Sequence, residues 1–180
     1  MDKTLKEYIE IYSPPNPILN QNDIDKLQWN SGIWADKNGN KISFQNCDMA
    51  YCPDQETFSK VTGWANYCCN QYSKNKKFKI TEGADPRFNR YQVDQHMDLH
   101  VDHIHSCFDG LKKGIPVLSV VGILNEDYVG GELVFYLGDQ EYVPNLKMGD
   151  TLIFPSAFPW KHEVKPVISG TRYTWVTWAW

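Results

Sequence analysis

The chain has 180 residues, of which 42% are hydrophobic and 14% aromatic, and its formal net charge is −4. That length suits one domain able to bury about 70% of its unfolded surface, and the composition excludes a disordered chain. The acidic balance gives no electrostatic footprint for nucleic acid, and no apolar run approaches the length of a bilayer span. The opening Met-Asp-Lys-Thr-Leu-Lys-Glu lacks the apolar core of a signal peptide. Cys47, Cys52, Cys68, Cys69 and Cys107 show no paired C-x-x-C spacing, which indicates free thiols in a reduced, cytoplasmic protein.

Residues 5–12 admit two readings, a helix presenting Leu5, Tyr8, Ile9 and Tyr12 or a short strand over 8–12. The Ser13-Pro-Pro-Asn-Pro17 run ends either one, because proline continues neither a helix nor a central strand. Asn20 or Asn22 caps a short helix reaching about Leu27, with Asp23 and Asp25 in its first turn. Asn38-Gly39, between 32–34 and 42–44, is a hairpin signal. A longer helix is predicted over 54–71, where Phe58, Val61, Trp64, Ala65, Cys68 and Tyr72 form one stripe that packs on a sheet. Residues 74–77 are then a basic, solvated loop.

From about residue 78 short β-rich runs alternate with turn signals. Strands are expected over 86–93, 96–102, 116–124, 132–136, 140–144, 150–155, 161–167 and 171–179. About eight strands in this stretch predict a jelly-roll, or double-stranded β-helix. The fold class is therefore α+β within one domain. Residues 78–180 are expected to form the jelly-roll core, and residues 1–77 a helical and strand support whose helices pack on one sheet.

Four of the five histidines fall within His96-Met-Asp-Leu-His-Val-Asp-His-Ile-His105. A His-x-Asp pair on a strand places imidazole and carboxylate on one face, about 7 Å apart. A second histidine from another strand completes a facial triad that leaves positions open on Fe(II). His162 is the histidine outside the cluster. Strict alternation would put residues 96, 98, 100 and 102 on one face, so two His-x-Asp pairs compete. Ten residues after His162 stands Arg172, which shares a strand face with Thr174, Val176 and Trp178. Its guanidinium either binds a ligand carboxylate or makes a structural salt bridge to another strand, for instance to Glu132 or Asp150.

Several motifs occur in order: Tyr91-x-x-Asp-x-x-Met-x-x-His100-x-Asp102, Leu124-Asn125, Tyr128-Val-Gly-Gly-Glu-Leu133, Gly149-Asp-Thr-Leu-Ile-Phe-Pro155, His162-x-x-x-Pro166-Val167 and Gly170-x-Arg172. Over residues 86–180 this set resembles the prolyl 4-hydroxylase-like branch of the Fe(II)/2-oxoglutarate oxygenases. The resemblance implies that His100, Asp102 and His162 hold iron. It implies that Arg172 binds the distal carboxylate of 2-oxoglutarate, with Tyr91 and Thr174 in the co-substrate region and Trp178 near the substrate. The implied cofactors are Fe(II), 2-oxoglutarate and O2, with ascorbate in support. The implied reaction converts 2-oxoglutarate to succinate and CO2 and hydroxylates an unactivated C–H, foremost of proline in a peptide or protein. The motif spacing favours His100 over His96 and leaves His96 and Asp98 at the rim. His103, His105, Cys107 and Gly110 lie in a loop that would border the site.

Pro116 stands where related prolyl hydroxylases carry an arginine associated with peptide substrate, and Ile123 where some carry a co-substrate tyrosine. Asp94 replaces the usual glycine of the tyrosine motif. These departures leave the reaction class intact but keep a free amino acid or another small molecule open as substrate. A cupin-like metal module without turnover is the reading from another class. A nucleic-acid demethylase on the same fold lacks a basic stripe, and a zinc hydrolase leaves Arg172 without a role.

Overall fold

The computed structural model describes residues 5–31, 34–35, 41–42, 45–102 and 116–180. A 3-10 turn over Leu5–Tyr8 leads into strand β1 (Glu10–Tyr12), so residues 5–12 divide between the two conformations their spacing allowed. Asn20 caps helix α1 (Gln21–Asp25) in a reciprocal box: its side chain accepts from the Asp23 amide, and the Asp23 carboxylate accepts from the Asn20 amide. Short strands follow at β2 (Asn30–Ser31), β3 (Trp34–Ala35), β4 (Lys41–Ile42), β5 (Gln45–Asn46) and β6 (Asp48–Tyr51). Strands β3 and β4 pair antiparallel, as the hairpin signal requires. The Asn38-Gly39 turn itself lies outside the described residues, as does the 103–114 loop.

Helix α2 runs Gln55–Lys76, capped by the Asp54 carboxylate, which accepts from the Thr57 amide at 2.7 Å. It continues five residues past the expected end, through the stretch read as a loop. Tertiary anchors explain the extension. Tyr72 is buried and donates to the Tyr8 carbonyl at 2.8 Å, and Lys76 pairs with Glu10 at 2.7 Å. Lys74 and Lys76 also suit the negative end of the helix dipole. Lys77 then stops the helix in the left-handed region at φ 59°.

The remaining strands are β7 (Arg87–Tyr91), β8 (His96–His100), β9 (Leu118–Ile123), β10 (Tyr128–Gly130) and β11 (Leu133–Leu137). They are followed by β12 (Gln140–Tyr142), β13 (Thr151–Pro155), β14 (Lys161–Val164), β15 (Val167–Gly170) and β16 (Arg172–Ala179). The single strand expected over 161–167 is broken near Pro166, and β10 was not expected from the sequence.

A major antiparallel sheet has the order β1-β13-β9-β16-β7-β6-β2, and a minor one the order β12-β11-β14-β8-β5. This is the jelly-roll expected from the strand pattern. Strands from before residue 78 join both sheets. Two cores result from strand alternation. Outward-facing Phe88, Leu118, Val120, Ile153 and Trp175 pack on the α2 stripe of Val61, Ala65, Cys68 and Tyr72. Inward-facing Met97, Leu133, Phe135, Leu152 and Phe154 fill the space between the sheets. Trp175 lies flat across β9, where a Cβ on Gly122 would fall 2.0 Å from its Nε1, so only glycine fits there. Among the described residues no helix is long and apolar enough to cross a membrane.

Candidate active site and metal centre

The site forms between the sheets because two strands of the minor sheet and one end of the major sheet direct polar side chains inward. His162 on β14 stands opposite His100 on β8, but Val164 stands opposite Met97. One residue of β14 between these pairs thus faces two of β8, a bulge that reverses which side chains face in. Met97 and His100 both turn to the interior. His96 and Asp98 turn outward, where they pair with each other at 3.2 Å. The bulge corrects the expectation that residues 96, 98, 100 and 102 share one face, and it leaves one His-x-Asp pair inside.

His100, Asp102 and His162 each offer a ligand atom, and these atoms all lie within 4.8 Å of one another, close enough to hold a metal ion. Asp102 Oδ1 is 3.3 Å from His100 Nε2 and 3.7 Å from His162 Nε2. Each imidazole is oriented through its other nitrogen: Nδ1 of His100 lies 2.7 Å from the Asp98 carbonyl, and Nδ1 of His162 lies 3.1 Å from the Trp160 carbonyl. A carbonyl only accepts, so Nδ1 carries the proton and the Nε2 lone pair faces the centre. Phe135 and Phe154 pack against the His162 ring at centroid distances of 5.5 and 4.8 Å and keep its surroundings apolar.

The electrostatics follow from burial and from the mutual contacts. Burial depresses the His162 pKa to about 4, with Asp102 opposing the shift. Burial acts in the same sense on His100, but its bond and charge interaction with Asp102 prevail and its pKa is raised. Burial would raise the Asp102 pKa, yet His162, His100 and the Ser119 hydroxyl together hold it well below the usual carboxylate range. Neutral imidazole beside carboxylate is the donor set a divalent first-row metal requires.

The second element of the site lies on β16 and β7. Arg172 faces inward and is 2% exposed, with Tyr91 opposite it in register and the Tyr91 ring centroid 5.1 Å from its guanidinium carbon. Among the described residues Arg172 has no ion pair, and its buried Nε has no hydrogen-bond partner. The alternative partners are otherwise placed: the Asp150 carboxylate accepts from Ser13 at 2.6 Å, and Glu132 is exposed. A buried cation without an anion is costly, so this guanidinium is a candidate partner for a ligand carboxylate. Asn125 fixes the start of this strand, donating to the Thr171 carbonyl at 2.6 Å and accepting from the Tyr173 amide at 2.8 Å. Gly131, at φ +67°, makes room for Arg172, whose Cδ would lie 3.0 Å from a Cβ there.

Thr174 is buried on the Arg172 face, with Ile123 across β9 and Asn89 across β7. Trp178 lies further along the same face, in register with Ser119, and the Arg87 guanidinium sits 5.1 Å from its ring. Asn89, Arg87, Ser119 and Ser156 were not singled out in the sequence. Asn89 faces the same interior, and its buried Oδ1 has no hydrogen-bond partner. Alternation from Tyr91 could have pointed to Asn89 and Arg87, and Ser119 is the one hydroxyl in the apolar run 117–124.

The residues from 86 to 180 match the family model described as the 2OG-Fe(II) oxygenase superfamily. A PKHD-type hydroxylase of Alteromonas mediterranea is 35% identical over 130 residues, covering 67% of this chain and 55% of the relative. One from a Janthinobacterium strain is 33% identical over 97 residues, covering 52% of this chain and 42% of the relative. The chain thus spans about half the length of the curated relatives it matches. Among solved structures, a Trichoplax adhaerens prolyl hydroxylase in complex with a hypoxia inducible factor peptide superposes with a TM-score of 0.68 at 15% identity, covering 96% of this chain and 83% of that one. A viral collagen prolyl hydroxylase from Paramecium bursaria Chlorella virus-1, in complex with 2OG, gives 0.65 at 20% identity, covering 96% and 95%. These likenesses show the same fold, and the family match extends over more than half of the residues and over every strand that carries a facing histidine or arginine. The chain belongs to the 2OG-Fe(II) oxygenase superfamily.

Proposed function

We propose that the protein is an Fe(II)- and 2-oxoglutarate-dependent hydroxylase, with iron held by His100, Asp102 and His162. In this reading Arg172 receives the distal carboxylate of 2-oxoglutarate. The observation that carries it is the buried Arg172 guanidinium without an acidic partner among the described residues, on the inner face shared with the triad. A metal-binding module without turnover has no use for such a cation. Tyr91 packs on the guanidinium, Thr174 presents its hydroxyl on the same face, and Trp178 borders the substrate. Fe(II) held by His100, Asp102 and His162 would supply, with 2-oxoglutarate and O2 as co-substrates, the oxidative chemistry that hydroxylates a C–H bond. The chain's part is to hold the imidazoles by their Nδ1–H groups, orient the carboxylate and exclude water with Phe135, Phe154 and Leu152.

Proline in a peptide or protein is the leading substrate, supported by the hydroxylase relatives and by the fold shared with prolyl hydroxylases. Pro116 and Ile123, in place of an arginine and a tyrosine, make a free amino acid the second candidate. The free thiols of Cys52, Cys68 and Cys69 are in keeping with a cytoplasmic setting. The test is succinate formation from 2-oxoglutarate with Fe(II) and ascorbate, together with mass spectrometry of peptide and amino-acid libraries for a gain of one oxygen. Absence of 2-oxoglutarate binding by the iron-loaded protein, or binding unaffected by Arg172→Ala, would refute the proposal.

A further inference from the structure

Asp102 lies two residues beyond the end of β8, so no strand pairing fixes its carboxylate. Its two oxygens nevertheless have different surroundings. Oδ1 faces both imidazoles, at 3.3 and 3.7 Å, while Oδ2 accepts a hydrogen bond from the Ser119 hydroxyl. Ser119 Oγ is also 2.8 Å from Ser156 Oγ, and both serines are 1% exposed. A hydroxyl has one proton and an ionised carboxylate has none to give. Ser119 therefore donates to Asp102, and Ser156 must donate to Ser119. The direction of the chain is fixed from Ser156 through Ser119 to Oδ2. Its origin is also anchored, because the Ser156 amide donates to the Val117 carbonyl at 3.0 Å, two residues before Ser119.

We propose that Ser119, oriented by Ser156, is a positioning residue that occupies one oxygen of Asp102 and so reserves the other for the metal. This role rests on His100, Asp102 and His162 being the iron ligands. A carboxylate free to rotate can bind through both oxygens, which would take a coordination position from the co-substrate or from O2. Holding Oδ2 keeps the carboxylate monodentate and that position open. A buried hydroxyl pair serving only to satisfy itself would contribute to stability but would leave the geometry of a bound metal unchanged.

The test uses Co(II) alone as probe, with its visible ligand-field spectrum and its dissociation constant measured for the wild type, Ser119→Ala, Ser119→Thr and Ser156→Ala. Ser119→Ala is expected to alter the spectrum and weaken Co(II) binding roughly 10- to 100-fold, the range for lost outer hydrogen bonds to metal ligands. Ser119→Thr, which keeps the hydroxyl, should restore both, and Ser156→Ala should give a smaller change in the same direction. An unchanged spectrum and affinity in Ser119→Ala overturn the role, whatever happens to its melting temperature. If Ser119→Ala does not fold, Ser119→Cys and Ser156→Ala decide, and wild-type spectra and affinities in both overturn it. Failure of the wild type to bind Co(II) overturns the metal-site reading itself, and this role with it.

Discussion

Replacing Arg172 with methionine separates a co-substrate clamp from a structural ion pair. The guanidinium is buried, has no ion pair among the described residues and leaves its Nε without a partner. Two parallel charge-assisted hydrogen bonds to a carboxylate contribute about 1.5–3 kcal/mol each. Their loss costs about 4 kcal/mol, and at about 1.4 kcal/mol per tenfold this is roughly a thousandfold in the dissociation constant of 2-oxoglutarate. The unliganded protein should respond in the opposite sense. Methionine removes a desolvated charge and keeps most of the volume, so the melting temperature of the apoprotein should hold or rise. Arg172→Lys keeps the charge without the planar fork and should recover most of the loss. Calorimetric titration of the Mn(II)-loaded protein with 2-oxoglutarate under nitrogen, beside thermal melts of the apoprotein, reads both quantities. If Arg172→Met binds 2-oxoglutarate normally and is destabilised by about 3–5 kcal/mol, as breaking a buried ion pair would do, the reasoning is wrong.

Other expectations follow from the same geometry. His100→Ala and His162→Ala should abolish Fe(II) binding, while His96→Ala, which removes an outward-facing ring, should keep it within about twofold; loss of iron only in the His96 variant would reverse the assignment. Gly131→Ala places a Cβ 3.0 Å from Arg172 Cδ at a φ of +67°, and should cost about 1–2 kcal/mol of stability and weaken 2-oxoglutarate binding; a variant with wild-type affinity would show that Arg172 tolerates displacement. Burial holds His162 at about 4, below its ordinary 6.5, so the folded apoprotein binds this proton less readily than the unfolded chain. Its stabilising contribution is complete above about 6.5 and is lost as pH falls toward about 4. The stability difference between wild type and His162→Gln, from urea midpoints, should therefore shrink between pH 7 and pH 4.5, and growth of that difference on acidification would contradict the burial argument. Burial pushes the thiols of Cys68 and Cys69 up to about 12 and about 11. Iodoacetamide at pH 8 should leave both unlabelled in the native protein and label both in urea, as counted by mass spectrometry.

Local chemistry was legible in the sequence wherever a short segment determines its own conformation. The choice of Asn20 or Asn22 as a cap, the proline stop after Tyr12, the α2 stripe and the β-rich second half all came from neighbours in the chain, and so did the class of donor atoms around residue 100. The end of α2 was not legible, because Tyr72 and Lys76 are held by Tyr8 and Glu10, more than sixty residues away. The choice between two His-x-Asp pairs is the sharpest case. Motif spacing favoured His100, but the pleat rule applied to one strand put both pairs on the same face. Only pairing with β14 introduces the bulge that sends His96 and Asp98 outward. Whether Arg172 had an acidic partner, and which oxygen of Asp102 was already bonded, also depended on other strands. The sequence determined which groups could do the chemistry. The tertiary structure decided which of them meet, because register, bulges and the satisfaction of buried charge are set between segments distant in the chain.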